Sequence, residues 1–317
     1  MASYQKRADL SKVRTISIRN RKSKVSPRAF AQPFDEVSDS FSRFFEGLPK
    51  ILLANDLRDL VAQIDVSRKK KKPVILMMGA HVIKVGLAPI VVDLLRSRVI
   101  TAVAMNSAAA IHDVETAMWG ETSEDVAENI ADGTFGMARE TGEFINRTLT
   151  AAVKGDLGYG ECLGRELIAR RAPHLAISIL ATCVDLQVSV TVHAAIGTDI
   201  VHQQPTMDGG ATGEMTFRDF RSLCETCMGL TGGGVVLNVG SAVILPEVFL
   251  KALTVARNLG ARAKGFTTAV FDMNRHYRPV MNVQLRPTQK GGKGYYFTGH
   301  HEIMIPLLAA VIKSRMR

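Results

Sequence analysis

Cysteine is scarce in this chain of 317 residues: Cys162, Cys183, Cys224 and Cys227 are the four. So few cannot form a disulfide framework in a chain this long, and a reducing, cytoplasmic setting is the expectation. Long apolar runs are missing too; Pro73 to Met78 falls far short of the ~20 residues that span a bilayer, so no membrane partner is expected. The basic N-terminus has no apolar core behind its charges, which excludes a secretory signal. Internal repeats, low-complexity segments, a GxGxxG fingerprint and an HExxH motif are all lacking. The formal charge of +10 is not spread over the chain. Residues 1–28 carry a net +8, Arg68 to Lys72 add five, and the remainder stands at −3. A nucleic-acid-binding body keeps its basic excess on its folded surface, so no nucleic-acid partner is expected.

What is present reads as α/β. Residues 1–33 form a basic, polar arm, and residues 34–317 one domain. Apolar residues at helical spacing predict two helices over about 41–64, and Arg68 to Lys72 reads as a solvated connection. Short apolar strands are then expected at Val74–Met78, Thr101–Met105, Val188–His193, Gly234–Val239, Gly265–Phe271 and Gly294–Phe297, with helices between them. Their nearly continuous Val/Ile/Leu/Met content predicts a Rossmann-like, mostly parallel, doubly wound sheet with helices on both faces. The Asp208 to Gly213 run is too rich in glycine for a regular element and reads as a loop over a crevice, while Cys224 and Cys227 sit on a core-facing helix.

Ligands of open parallel sheets bind beyond the carboxyl ends of the strands. Seven of the eight histidines fall just past predicted strands, all except His174. Two chemistries could use that edge. Glycine-rich turns at Gly79–Gly86 and Gly232–Gly234 and the small residues Ser107–Ala110 would admit a phosphate or dinucleotide. Alternatively, His81, His112, Asp113, His193, Asp199, His202 and His300 are residue types able to bind a divalent metal.

The order of these motifs resembles the deoxyhypusine synthase family over about residues 72–311. The landmarks are Gly79–Gly86 followed by a helix, Ser107–Ile111, Thr198–Asp199, Gly232–Val235, Thr268–Ala269 with Phe271–Asp272, and the closing segment Tyr296–Leu308. The resemblance implies a NAD-binding fold, a homotetramer, and a NAD site formed by Ser107, Ala108, Asp113, Asp199, Gly233, Thr268 and Ala269. In that family a lysine forms an imine with the aminobutyl group of spermidine. Leu237 stands at its place here, and leucine cannot form an imine. The family's acidic, polyamine-holding segment reads Met273 to Arg278, where Arg275 and Arg278 would favour an anion. The expectation is therefore a NAD-binding enzyme acting on a small-molecule substrate other than the hypusine precursor. His112 and His202 are its proposed proton-transfer groups and Lys84 an electrophile or reactive amine. A metal-dependent hydrolase or lyase and a non-catalytic scaffold are the two alternatives.

Overall fold

Val74–Met78, five apolar residues between Pro73 and Gly79, form β1 near the centre of a parallel sheet in the computed structural model, which describes residues 5–6, 8–22 and 25–316. Among those residues the sheet has six strands. The others are β2 (Ala102–Asn106), β3 (Ser189–His193), β4 (Val235–Val239), β5 (Thr267–Asp272) and β6 (Lys293–Thr298). All pairs are parallel, in the order β3-β2-β1-β4-β5-β6. Every residue of β1, β4 and β5 is buried, as a strand covered on both faces requires. The sheet is thus wholly parallel and Rossmann-like, with its order reversing between β1 and β4.

The chain divides into two compact units, residues 1–55 and 56–317. In the first, single 3₁₀ turns at Leu10–Lys12, Ile18–Asn20 and Pro27–Ala29 precede α1 (Phe41–Gly47), whose N-terminus Ser40 caps. Residues 1–4, 7, 23 and 24 of the expected basic arm lie outside the described residues.

Helix α2 (Leu52–Lys69) leads into the sheet. One sheet face packs on α10 (Gly209–Met228) and α11 (Ile244–Asn258): Ile75, Met77, Ala104, Val236 and Val270 meet Leu223, Cys227, Leu245 and Phe249. Both cysteines of the Cys-x-x-Cys pair are buried in α10, where burial pushes the Cys227 thiol up to about 12, as suits a core role. The remaining helices are α3 (His81–Lys84), α4 (Ala88–Arg96), α5 (Ser107–Trp119), α6 (Val126–Asp132), α7 (Arg139–Ala152), α8 (Tyr159–Ala169), α9 (Ile179–Asp185), α12 (Tyr277–Pro279) and α13 (His301–Ser314). No helix of the described residues is long and apolar enough to cross a membrane.

Two expectations change. Residues 209–213 are the first turn of α10, not a loop: the Asp208 carboxylate accepts the Ala211 amide at 2.9 Å, and Ala211, Thr212 and Met215 are buried. That cap and that burial offset the roughly 1 kcal/mol each helical glycine costs. A π-helical turn, Val280–Leu285, also follows α12 where the sequence signalled no element, because Asn282 and Val283 are buried against the sheet.

The outer edge of β3 is closed by a side chain. Asp219 of α10 accepts the amides of Val192 at 2.6 Å and Gly160 at 2.9 Å, joining the strand to α8. Burial pushes this carboxyl up to about 7 despite those bonds. The folded protein therefore holds a proton there that the unfolded chain releases near pH 4. The associated stability is complete below that pH and is lost as pH rises through 7. Urea midpoints measured from pH 4 to pH 8 should fall less steeply in Asp219→Asn than in the parent protein.

Candidate functional site

Helix α5 leaves β2 at its carboxyl end. Asn106 caps it by accepting the Ala109 amide at 3.0 Å, and Gly120, at φ 76°, ends it by donating to Thr116. The two faces of this helix have different tasks. Asp113 turns inward, fully buried, and accepts Ser178 Oγ at 2.6 Å and the amides of Ile179 and Leu180 at 2.7 and 3.1 Å. It thereby joins α5 to the N-terminus of α9, where partial positive charge suits a carboxylate. Burial pushes the Asp113 carboxyl up to about 6, against the pull of those three donors.

On the opposite face His112, Glu115 and Trp119 line a cavity of about 470 Å³, beside Lys84, Glu121, Thr122, Glu124, Thr198 and Asp199. Such a volume is within the usual range for a small-molecule site, ~300–1,000 Å³. Thr122 Oγ1 stands between the other two groups, 2.5 Å from His112 Nδ1 and 2.5 Å from Glu115 Oε2. A threonine hydroxyl has one proton, and an ionised carboxylate can only accept. The Thr122 proton therefore points at Glu115, and His112 must donate Nδ1–H to Thr122. The neutral imidazole is left with its lone pair on Nε2. Glu115 also accepts from Thr141 at 3.0 Å. Burial draws the Glu115 carboxyl upward, but hydrogen bonds with His112, Thr122 and Thr141 outweigh it and hold the group below its ordinary value. Glu115 lies one helical turn beyond His112, a spacing that could have singled it out; Thr122 and Thr141 carry no local signal.

The loop after β3 supplies the next wall. Ser107 donates to Asp199, and burial raises the Asp199 carboxyl while Ser107, His202 and His112 favour its charged form. His202 does not fit its expected proton-transfer role. Its Nδ1 accepts the amides of Gly197 and Asp199 at 3.1 and 3.2 Å, so the ring proton is confined to Nε2, 3.9 Å from Asp199 Oδ2 and otherwise unpartnered. Protonating Nδ1 would break both amide bonds, so His202 is read here as a positioning residue for Asp199. Lys84 lines the cavity with an exposed side chain whose ammonium makes no hydrogen bond or ion pair among the described residues.

Of the expected cofactor residues, Ser107, Ala108 and Asp199 gather at this edge. Four others face elsewhere. Gly233 precedes β4 and so lies at the opposite edge of a parallel sheet. Thr268 and Ala269 are the second and third residues of β5, both fully buried, with the Thr268 hydroxyl donating to Val283 O. Asp113 is sealed against α9. Leu237 is buried in mid-strand beside Leu76 and Ala269. Arg275 lies over the Tyr296 ring at 5.1 Å and Arg278 pairs with Glu247 at 3.3 Å. Neither arginine lines the cavity, whose charged lining is mostly carboxylate, so the expected anionic preference is not supported.

The metal alternative loses its ligand set: no three His, Cys, Asp or Glu side chains among the described residues come together to hold an ion. His193 is buried at the end of β3, where burial pushes its imidazole down to about 3. His81 packs edge-on against His301 at 5.3 Å, and His300 is exposed beside Glu302. At the strand-order reversal the backbone itself fills the space; a Cβ on Gly79 would stand 2.1 Å from the Gly240 carbonyl oxygen.

No family model and no curated protein sequence matches the chain. Solved structures do match. AgrE, crystallised with ornithine and NAD+, has a TM-score of 0.54 at 14% identity over 82% of this chain, which spans 33% of AgrE. A protein assigned as LOR/SDH from Methanococcus maripaludis gives 0.53 at 11%, covering 94% of this chain and 76% of its own. A protein assigned as a deoxyhypusine synthase from Entamoeba histolytica gives 0.50 at 10%, covering 89% and 96%. The likeness is one of fold.

Asp113→Ala should lower stability by about 2–4 kcal/mol, because three buried donors lose their acceptor. Chemical denaturation would read this as a shifted midpoint with an unchanged slope.

Proposed function

We propose that this chain is a NAD-binding enzyme of deoxyhypusine synthase-like fold that transforms a small cationic substrate with His112 as general base. The observation that carries the reading is the Glu115–Thr122–His112 chain. It leaves His112 Nε2 as an acceptor and supplies a carboxylate to stabilise the imidazolium that forms when Nε2 takes a proton. The crystallised AgrE complex with ornithine and NAD+ supports NAD as the cofactor, on fold alone. Of the cavity's residues, those that open α5 fit a phosphate of such a group. The thirteen-residue helix α5 opens at the cavity with Asn106 capping Ala109, leaving the amides of Ser107 and Ala108 for a phosphate, and Lys84, whose ammonium has no partner among the described residues, lines the same cavity. When bound, NAD accepts hydride.

The remaining roles belong to this chain's own residues. His112 Nε2 removes the proton that a substrate O–H or N–H loses as its carbon is oxidised. Glu115 and Thr122 keep the ring oriented, and Ser107 with His202 holds Asp199 at the wall. Glu115, Glu121, Glu124 and Asp199 outnumber Lys84 and give the cavity a field that favours a cation. With Leu237 at the lysine position, a covalent imine on that residue is not part of the reading.

Calorimetric titration should give a saturable NAD isotherm. Absence of heat at about 1 mM, an interaction weaker than roughly −4 kcal/mol, would count against the reading. With a panel of small amines, reduction of NAD followed by absorbance should fall about 10²–10⁴-fold in His112→Ala while NAD affinity is retained. Turnover confined to anionic substrates would overturn the assigned substrate class.

A further inference from the structure

At the edge of the sheet opposite the catalytic cavity, where Pro73 leads into β1 and Thr101 into β2, lies a second cavity of about 510 Å³. Arg68, Lys71, Lys72 and Arg98 line it, and Glu225 is its one lining carboxylate. Three of the cations come from the run that the sequence suggested was a solvated connection. Instead, Arg68 belongs to the last turn of α2, and the next residues turn back toward Arg98 at the end of α4.

Several cations elsewhere in this unit are matched by carboxylates along their helices: Arg147 with Glu143, Arg165 with Glu161, Arg170 with Glu166 and Arg218 with Glu214. The groove departs from that pattern. Lys72 Nζ donates to Thr231 O at 2.7 Å and Arg98 Nη1 to Leu186 O at 3.1 Å. Neutral carbonyls fix these cations in place without cancelling their charge. Arg68 has its nearest carboxylate, Asp65, 3.9 Å from Nη1, and its Nε is buried without a hydrogen-bond partner. The Lys71 ammonium makes no hydrogen bond or ion pair among the described residues, and its side chain is exposed. Part of the clustering has an ordinary cause, because α2, α4 and α10 all end at this edge. A helix C-terminus carries about half a negative charge, so the three offset about one and a half cations. With Glu225 and Asp65 also counted, although Asp65 pairs more closely with Lys69 at 2.7 Å, a small positive excess of about half a charge remains.

We propose that this groove binds a small molecule through a phosphate or pyrophosphate group, at a site separate from the catalytic cavity. Its volume suits a metabolite, and two guanidinium groups beside two ammonium groups match a multiply charged oxyanion better than a single carboxylate. Nucleic acid is disfavoured because its recognition requires a stripe of cations along an open face, and these four converge on one concavity.

Titration calorimetry of the full chain with inorganic pyrophosphate tests the site. Saturable binding is expected, weakening with added salt and falling about tenfold or more in Arg98→Ser and in Lys71→Ser. The Lys71 side chain is exposed, so that variant separates lost binding from lost folding. NAD affinity measured on the same variants should be unchanged, which keeps this site distinct from the proposed cofactor site. Equal pyrophosphate binding by parent and variants would overturn the proposal, as would no heat at millimolar pyrophosphate. A parallel loss of NAD binding, or tighter binding of a short single-stranded RNA than of pyrophosphate, would overturn it as well.

Discussion

The candidate site depends on α5 being held from within. Asp113, buried and bonded to Ser178 and to two amides at the start of α9, fixes the rotation of α5 about its own axis. A helix turned by even one residue would carry His112 away from Thr122 and withdraw Trp119 from the cavity wall. The inner face of α5 thus serves stability, and its outer face presents chemistry at a constant angle. A fully buried carboxylate is costly unless its lone pairs are filled, and three donors at 2.6–3.1 Å meet that demand here.

Placement of the cavity follows from the sheet. Dinucleotide-binding sheets with this strand order open a crevice where the order reverses, between β1 and β4. Here Gly79 and Gly240 bring two backbones together at that point, and their lack of side chains is what permits the contact. The open space therefore lies to one side, over the ends of β2 and β3, where α5 starts and the Thr198–Asp199 turn returns. The histidines at the reversal, His81 and His301, pack against each other instead of facing that cavity.

Hydrogen bonding separates the histidines by role in a way that placement alone does not. His112 has its proton assigned to Nδ1 by Thr122, which leaves a basic nitrogen free. His202 has Nδ1 occupied by two amides, and its basic position is already in use. His193 is buried so deeply that its charged form is excluded in the ordinary pH range. All three lie past or at the end of a strand, and one of them has the environment of a proton acceptor.

Read alone, the sequence determined the architecture, because that information is local. Apolar runs of five or six residues bounded by Pro and Gly mark Val74–Met78 and its neighbours, and their all-apolar character requires cover on both faces. It also determined that ligating and titratable residues collect at one edge, since that follows from where each strand stops. Its alignment of Gly233, Thr268 and Ala269 with a cofactor site carried no information about depth: two of these are buried in mid-sheet and the third lies at the far edge. Local composition likewise missed that the Asp208 cap and buried Met215 hold a glycine-rich segment in a helix. Only the tertiary structure decided which side chains meet. Thr141 reaches Glu115 across 26 positions and Ser107 reaches Asp199 across 92, and those long-range partners set each proton's place.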